Sequence, residues 1–205
     1  MTSRKNISIG VLLLFHLIGV VLFYRDPENA KLSYVTLILT FLLLVLNERH
    51  FSKELPKYLA VACGGYLIEI IGVKTGVLFG HYQYGDALGF KVYGTPLLIG
   101  INWLITVRVA TDLANAIFAR HWTFRTLMAG LIATSLDALI EPVAQHYNFW
   151  TWENGEIPFW NYICWFIFSS IFATLFTFKK SELNVLSIPI FITWAGFFTI
   201  LNFVI

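Results

Sequence analysis

The sequence predicts an all-α protein: a polytopic transmembrane helical bundle of about seven spans, forming a single domain over residues 1–205. Three observations carry this. Apolar residues fill 58% of the positions and only 13% are Asp, Glu, Lys or Arg, against about half and about a quarter in ordinary soluble domains. Mean hydropathy is +0.71. The apolar residues fall in long runs separated by short polar links, the pattern of a chain whose backbone must satisfy its own polar groups in lipid.

The spans are expected at 7–24, 32–47, 57–74, 96–118, 125–143, 157–178 and 184–204. Each approaches the roughly 20 residues that cross about 30 Å of hydrocarbon, and the second is the shortest. The opening "MTSRKNISIGVLLLFHLIGVVLF" has the basic start and apolar run of a signal peptide but no clear small-x-small cleavage site, so it reads as a retained first helix. Cys63 and Cys164 fall inside spans as small buried residues, and no CxxC pair suggests a thiol-ligated metal or redox site. Pro142 is expected to disturb the end of the fifth span.

Lys and Arg in the links set the orientation. One side carries nine: Arg4, Lys5, Arg49, Lys53, Lys57, Arg120, Arg125, Lys179 and Lys180; the other carries four, Arg25, Lys31, Lys74 and Lys91. The expected localisation is therefore the cell (inner) membrane, multi-pass, with a cytoplasmic N-terminus and the C-terminus outside. The net charge of +2, with no basic tail, gives no reason to expect a nucleic-acid partner.

Both long links, 74–95 and 144–156, then lie on the outer side. They are rich in aromatics: "GHYQYG" and "NFWTWENGEIPFW". An interfacial belt would place such residues at both faces of the bilayer. Here they gather on one side, beside acids within the spans. Glu69 sits near the outer end of the third span. Asp137 and Glu141, at i and i+4, share one face of the fifth. Ionised groups in lipid are costly and usually face a bundle interior, so the three carboxyls are expected to meet below the two loops. In the fourth span Arg108 and Asp112, again i and i+4, are expected to pair, and Asn102 is a candidate for a helix–helix hydrogen bond.

Clustered carboxyls can divide the roles of general acid and general base. Aromatic faces stabilise a nearby cation. Together they suit protonation of an alkene, formation of a tertiary carbocation and its capture, on a hydrophobic polyene or isoprenoid drawn from the bilayer. Asp137, Glu141 and Glu69 are the candidate catalytic groups, with Tyr82, Tyr84, Trp150 and Trp152 beside the cation. The five histidines are dispersed, which argues against a di-iron oxygenase. No GxGxxG opens a helix after a strand, and no DDxxD-like pair offers to hold Mg²⁺ and a diphosphate. No cofactor and no metal are expected.

The stretches "EIIGVKTGVLFGHYQYG" with "GTPLLIGINW" (Glu69 to Trp103), and "LDALIEPVAQHYNFWTW" with "IPFWNYICW" (Leu136 to Trp165), also resemble the integral-membrane carotenoid biosynthesis family that contains the CruF-type carotenoid 1,2-hydratases. With the spacing between spans the resemblance covers most of the chain. It implies cofactor-independent addition of water to the terminal 1,2 (or 1′,2′) double bond of an acyclic carotenoid end, giving a tertiary alcohol. The family pattern falls on Glu69, Gly72, Gly76, Gly80, Tyr82, Tyr84, Pro96, Trp103, Asp137, Glu141, Pro142, Trp150, Trp152, Pro158 and Asn161. On that reading Asp137 or Glu141 donates the proton, and the other carboxylate or Glu69 activates water. His81 and Asn161 orient that water, and Trp103 joins the substrate-binding set. The glycines suit close packing of helices or of a flat substrate. The partners are a hydrophobic carotenoid, water, the lipid bilayer and neighbouring carotenoid enzymes. A non-redox carotenoid cyclase shares the protonation step. A proton-coupled transporter, with Glu69, Asp137 and Asp112 as a relay, is the rival of another class.

Overall fold

The structure is a computed structural model that describes residues 2–179 and 181–205; Met1 and Lys180, the latter among the nine cations counted above, lie outside the described residues. Seven α-helices run α1 Thr2–Arg25, α2 Ser33–Leu46, α3 Phe51–Thr75, α4 Leu98–Ile117, α5 Trp122–His146, α6 Phe159–Thr177 and α7 Ser187–Asn202. Four short strands, β1 Tyr82–Tyr84, β2 Lys91–Val92, β3 Thr95–Pro96 and β4 Trp150–Trp152, lie in the two long links. The all-α bundle is as the sequence predicts.

Among the described residues, five segments are long and apolar enough to cross a membrane: Ser3–Arg25, Pro27–Leu46, Phe51–Thr75, Trp122–His146 and Phe159–Thr177. The second reaches that length because a 3-10 turn, Pro27–Leu32, precedes α2; Asp26 caps it by accepting from the Glu28 N–H at 3.0 Å, and Pro27 supplies the preset φ of a first position. The outward faces carry apolar side chains such as Leu17, Leu59, Leu67 and Ile192, each more than half exposed. That is the surface a hydrocarbon solvent covers.

α4 is the hub. It packs on α2, α3, α5, α6 and α7, and most of its residues are buried. A central helix shielded by its neighbours can carry charge that a lipid-facing one cannot. Arg108 is fully buried and pairs with Asp112 at 3.0 Å, as expected, but also with Glu54 at 3.3 Å and Glu48 at 3.4 Å. Asp112 in turn accepts from the Asn184 N–H at 3.0 Å and the Ser187 hydroxyl at 2.6 Å. One guanidinium thus ties the ends of α2, α3, α4 and α7 together, far from the long links.

At the other end Trp103 of α4 stacks on Trp165 of α6, centroids 3.9 Å apart and planes within 5°. Gly65 of α3 makes room: a Cβ there would come within 2.5 Å of the Trp103 side chain. α5 continues through Pro142 to His146 instead of breaking there. The proline sits in the final turns, and Asn202 of α7 donates to the Leu139 carbonyl at 2.7 Å, one turn before it.

The two long links are not loose belts. β1 pairs antiparallel with β4 in the register Tyr82 to Trp152, Gln83 to Thr151 and Tyr84 to Trp150. Because side chains alternate along a strand, Tyr82, Tyr84, Trp150 and Trp152 share one face of the ribbon and Gln83 and Thr151 the other. The β2–β3 hairpin turns through Tyr93 and Gly94, both at positive φ, the geometry of a tight two-residue hairpin.

Candidate active site

The four aromatic side chains on the inner face of the ribbon come down on the three carboxyls. Glu69 of α3, Asp137 and Glu141 of α5, and Asn161 of α6 are all buried. Together with Phe79, Ile99, Asn102, Tyr82, Tyr84, Trp150, Trp152 and Trp165 they enclose a cavity of about 20 Å³. Polar walls and that volume suit about one water molecule.

Glu69 accepts three hydrogen bonds, from the hydroxyls of Tyr82 at 2.5 Å and Tyr84 at 2.8 Å and from Trp103 Nε1 at 2.8 Å. Glu141 also accepts three, from Trp150 Nε1 at 2.9 Å, Trp152 Nε1 at 3.0 Å and Asn161 Nδ2 at 3.0 Å. Asp137 accepts one, from the same Asn161 amide at 3.1 Å. Among the described residues, no Lys or Arg lines the cavity. Buried carboxylates here are held by neutral N–H and O–H donors, each such bond to a charged group being worth about 1.5–3 kcal/mol. The donors are unequally shared. Glu69 and Glu141 are each built to be acceptors, and Asp137 has room to carry a proton of its own.

The tyrosines are fixed in the donating role. Burial first, and the Glu69 carboxyl next, push both phenols well above their ordinary range, so each keeps its hydrogen. Gly72 lets Tyr82 reach Glu69, since a Cβ at 72 would lie 2.9 Å from the Tyr82 hydroxyl and 2.8 Å from the Phe79 ring. Phe79 adopts φ +69 while buried in the cavity wall, a backbone conformation that costs a non-glycine residue energy and gathers at functional sites.

The residues expected from sequence are brought together with one exception. Glu69, Tyr82, Tyr84, Trp103, Asp137, Glu141, Trp150, Trp152 and Asn161 line the cavity or bond its carboxyls. His81 does not. It is exposed outside the cavity, where its ring covers Gly76 and its carbonyl accepts from the Glu153 N–H at 3.0 Å, so it is not placed to orient a water among the acids. Strand alternation explains this: His81 precedes Tyr82 and faces the other way. The glycines also differ from expectation. The space over Gly72 and Gly76 is filled by Tyr82 and Phe79 and by His81, all from the following link, whereas Gly80 meets Pro158 at the start of the sixth span.

Asn102 is a candidate from the sequence for a helix–helix hydrogen bond. It lines the cavity instead and makes no side-chain hydrogen bond among the described residues. Trp165 and Ile99 complete the wall; the stack on Trp103 reveals the first, and no pattern in the chain marks the second.

The arrangement can do acid–base chemistry on an apolar group: one carboxyl able to give a proton, two able to take one, aromatic walls, and room for a single water. A family model described as "Carotenoid biosynthesis protein" matches residues 30–204. Bisanhydrobacterioruberin hydratase of Haloarcula japonica is 26% identical over 132 residues, 58% of this chain and 43% of that protein, so the chain spans less than half the length of this relative. No solved structure matches.

Proposed function

Because the chain belongs to the carotenoid biosynthesis protein family, we propose that it is a membrane-embedded hydratase adding water to the terminal 1,2 double bond of an acyclic carotenoid. The observation that carries this is the division of donors among three buried carboxyls around a one-water cavity. Asp137 gives its proton to C2 of the terminal isoprene unit, leaving a tertiary cation at C1. The rings of Tyr82, Tyr84, Trp150 and Trp152 wall that position and favour positive charge. Water attacks C1, and Glu141 or Glu69 takes the proton released. Asn161, whose amide donates to both Asp137 and Glu141, holds the two acids side by side, so that the proton taken from water returns to Asp137 through water in the pocket. No electrons change hands, so the residues present suffice for the balance. The similarity to a bisanhydrobacterioruberin hydratase supports the reading.

A cyclase would begin with the same protonation but would need to exclude water at the cation. A cavity of about 20 Å³ with three carboxyls and the amides of Asn102 and Asn161 in its wall favours the hydratase. The test is co-expression with an acyclic carotenoid pathway and mass spectrometry of the pigments. The expected result is a product heavier by one water, lost in Asp137→Asn. A pigment isomer of unchanged mass would indicate cyclisation instead, and unaltered pigment beside correctly folded protein would count against both.

A further inference from the structure

The carboxyl cavity is small, but it does not stand alone. A second cavity of about 70 Å³ shares Ile99, Asn102 and Trp150 with it. A third, of about 200 Å³, shares His16, Ser33, Thr36 and Phe197 with the second. The three form a series from the acids to the cleft between α1 and α2. At the far end the walls include Phe15, Ile18, Leu32 and Val35, all on the lipid-facing exterior and each at least 36% exposed.

Several polar groups along this series are engaged within their own helices, the Ser33 hydroxyl excepted. His16 Nδ1 bonds the Leu12 carbonyl of its own helix at 2.8 Å, and Thr36 Oγ1 bonds the Ser33 carbonyl at 2.9 Å. With those groups satisfied, the walls offer hydrocarbon and aromatic surface: Leu37, Ile140, Phe149, Trp194 and Phe198 in the middle cavity. Asn102, with no side-chain hydrogen bond among the described residues, stands where the middle cavity meets the acids. An apolar passage ending at one free amide matches a molecule that is hydrocarbon along its length and meets water only at its reacting end.

We infer that the α1–α2 cleft is a lateral entry for a linear isoprenoid chain from the bilayer, which threads past His16 and Thr36 until its end passes Asn102 to reach Asp137. This rests on the hydratase reading for the identity of the reacting end, but the entry itself is tested by binding. Because the ribbon of β1 and β4 closes over the acids through Tyr82, Tyr84, Trp150 and Trp152, the side passage also explains how a membrane-dissolved substrate reaches a lidded site.

The experiment uses the full chain in phosphatidylcholine vesicles, a diazirine-bearing linear isoprenoid hydrocarbon as photoprobe, and excess lycopene as competitor. Native protein is expected to show competable labelling on the segments around His16, Thr36 and Phe197, and only non-competable labelling at the lipid-facing Leu67. Thr36→Trp should reduce the competable label about tenfold or more and lower hydration in proportion, while Leu67→Trp changes neither. Absence of competable labelling at the cleft of the native protein overturns the entry, and this outcome needs no variant to fold. Thr36→Trp that melts like the native protein and keeps both label and turnover also overturns it. Competable labelling abolished by Thr36→Trp, in protein that hydrates no carotenoid, supports the entry and removes the hydratase reading alone.

Discussion

Asp137 and Glu141 are one helical turn apart, yet the structure gives them different surroundings. Glu141 has three donors and Asp137 one. That difference makes the roles separable by mutation. Asp137→Asn should abolish hydration while leaving the fold intact, since an amide keeps the shape and cannot give a proton. Trp152→Phe removes one bond to Glu141 and keeps most of the ring. A charged hydrogen bond of about 1.5–3 kcal/mol that holds in the transition state predicts a fall of roughly ten- to hundredfold in kcat/KM. His81→Ala serves as the contrast. Its ring lies outside the cavity, and turnover should stay within about twofold, the range of ordinary surface changes. The three acids were legible in the sequence because charge inside an apolar run is itself a signal. The aromatic rings were legible as neighbours of a cation but not as hydrogen-bond donors, because which edge of an indole meets which acid depends on the strand pairing.

That pairing sets the element scale. Tyr-Gln-Tyr and Trp-Thr-Trp alternate with the period of a strand, but each strand is three residues long and its partner lies far away in the chain. Local periodicity cannot identify such short strands, and the links read as aromatic loops. Pro142 marked a helix end correctly in kind and too early in place, since one missing N–H in the last turns does not outweigh the packing of α5 on its neighbours. The ribbon can be tested directly at Gly85, whose N–H donates to the Phe149 carbonyl at 2.9 Å and where a Cβ would lie 2.0 Å from the Asn148 carbonyl oxygen. Gly85→Val should force the two links apart and expose the acids. The expected result is loss of hydration with little change in helical circular dichroism; retained activity would show that the ribbon is dispensable.

At the scale of the whole molecule, the bundle has two polar centres with different logic. The carboxyl site is surrounded by neutral donors and, among the described residues, no cation, an arrangement suited to moving protons. The cluster around Arg108 is a set of paired charges, with Lys57 adding a 3.0 Å contact to Glu54 and Tyr58 donating to Glu48 at 2.7 Å. The i, i+4 pair of Arg108 and Asp112 was visible in the sequence; Glu48 and Glu54 were not, because they join it only through the packing of α2 and α3 on α4. Arg108→Met leaves three buried carboxylates without their common partner and should destabilise the protein by about 3–5 kcal/mol. Thermal unfolding in detergent should show this as a large drop in melting temperature, without a selective change in the reaction catalysed by the folded fraction.

The measurement that tests the central claim most directly is isotope incorporation by the purified protein, given an acyclic carotenoid in vesicles made up in heavy-oxygen water and, separately, in D₂O. The account predicts one heavy oxygen at C1 and one non-exchangeable deuterium at C2 of the same end group, both absent with Asp137→Asn. Oxygen at C1 without deuterium at C2, or deuterium in a product that has gained no oxygen, would contradict proton transfer followed by capture of the cation by water.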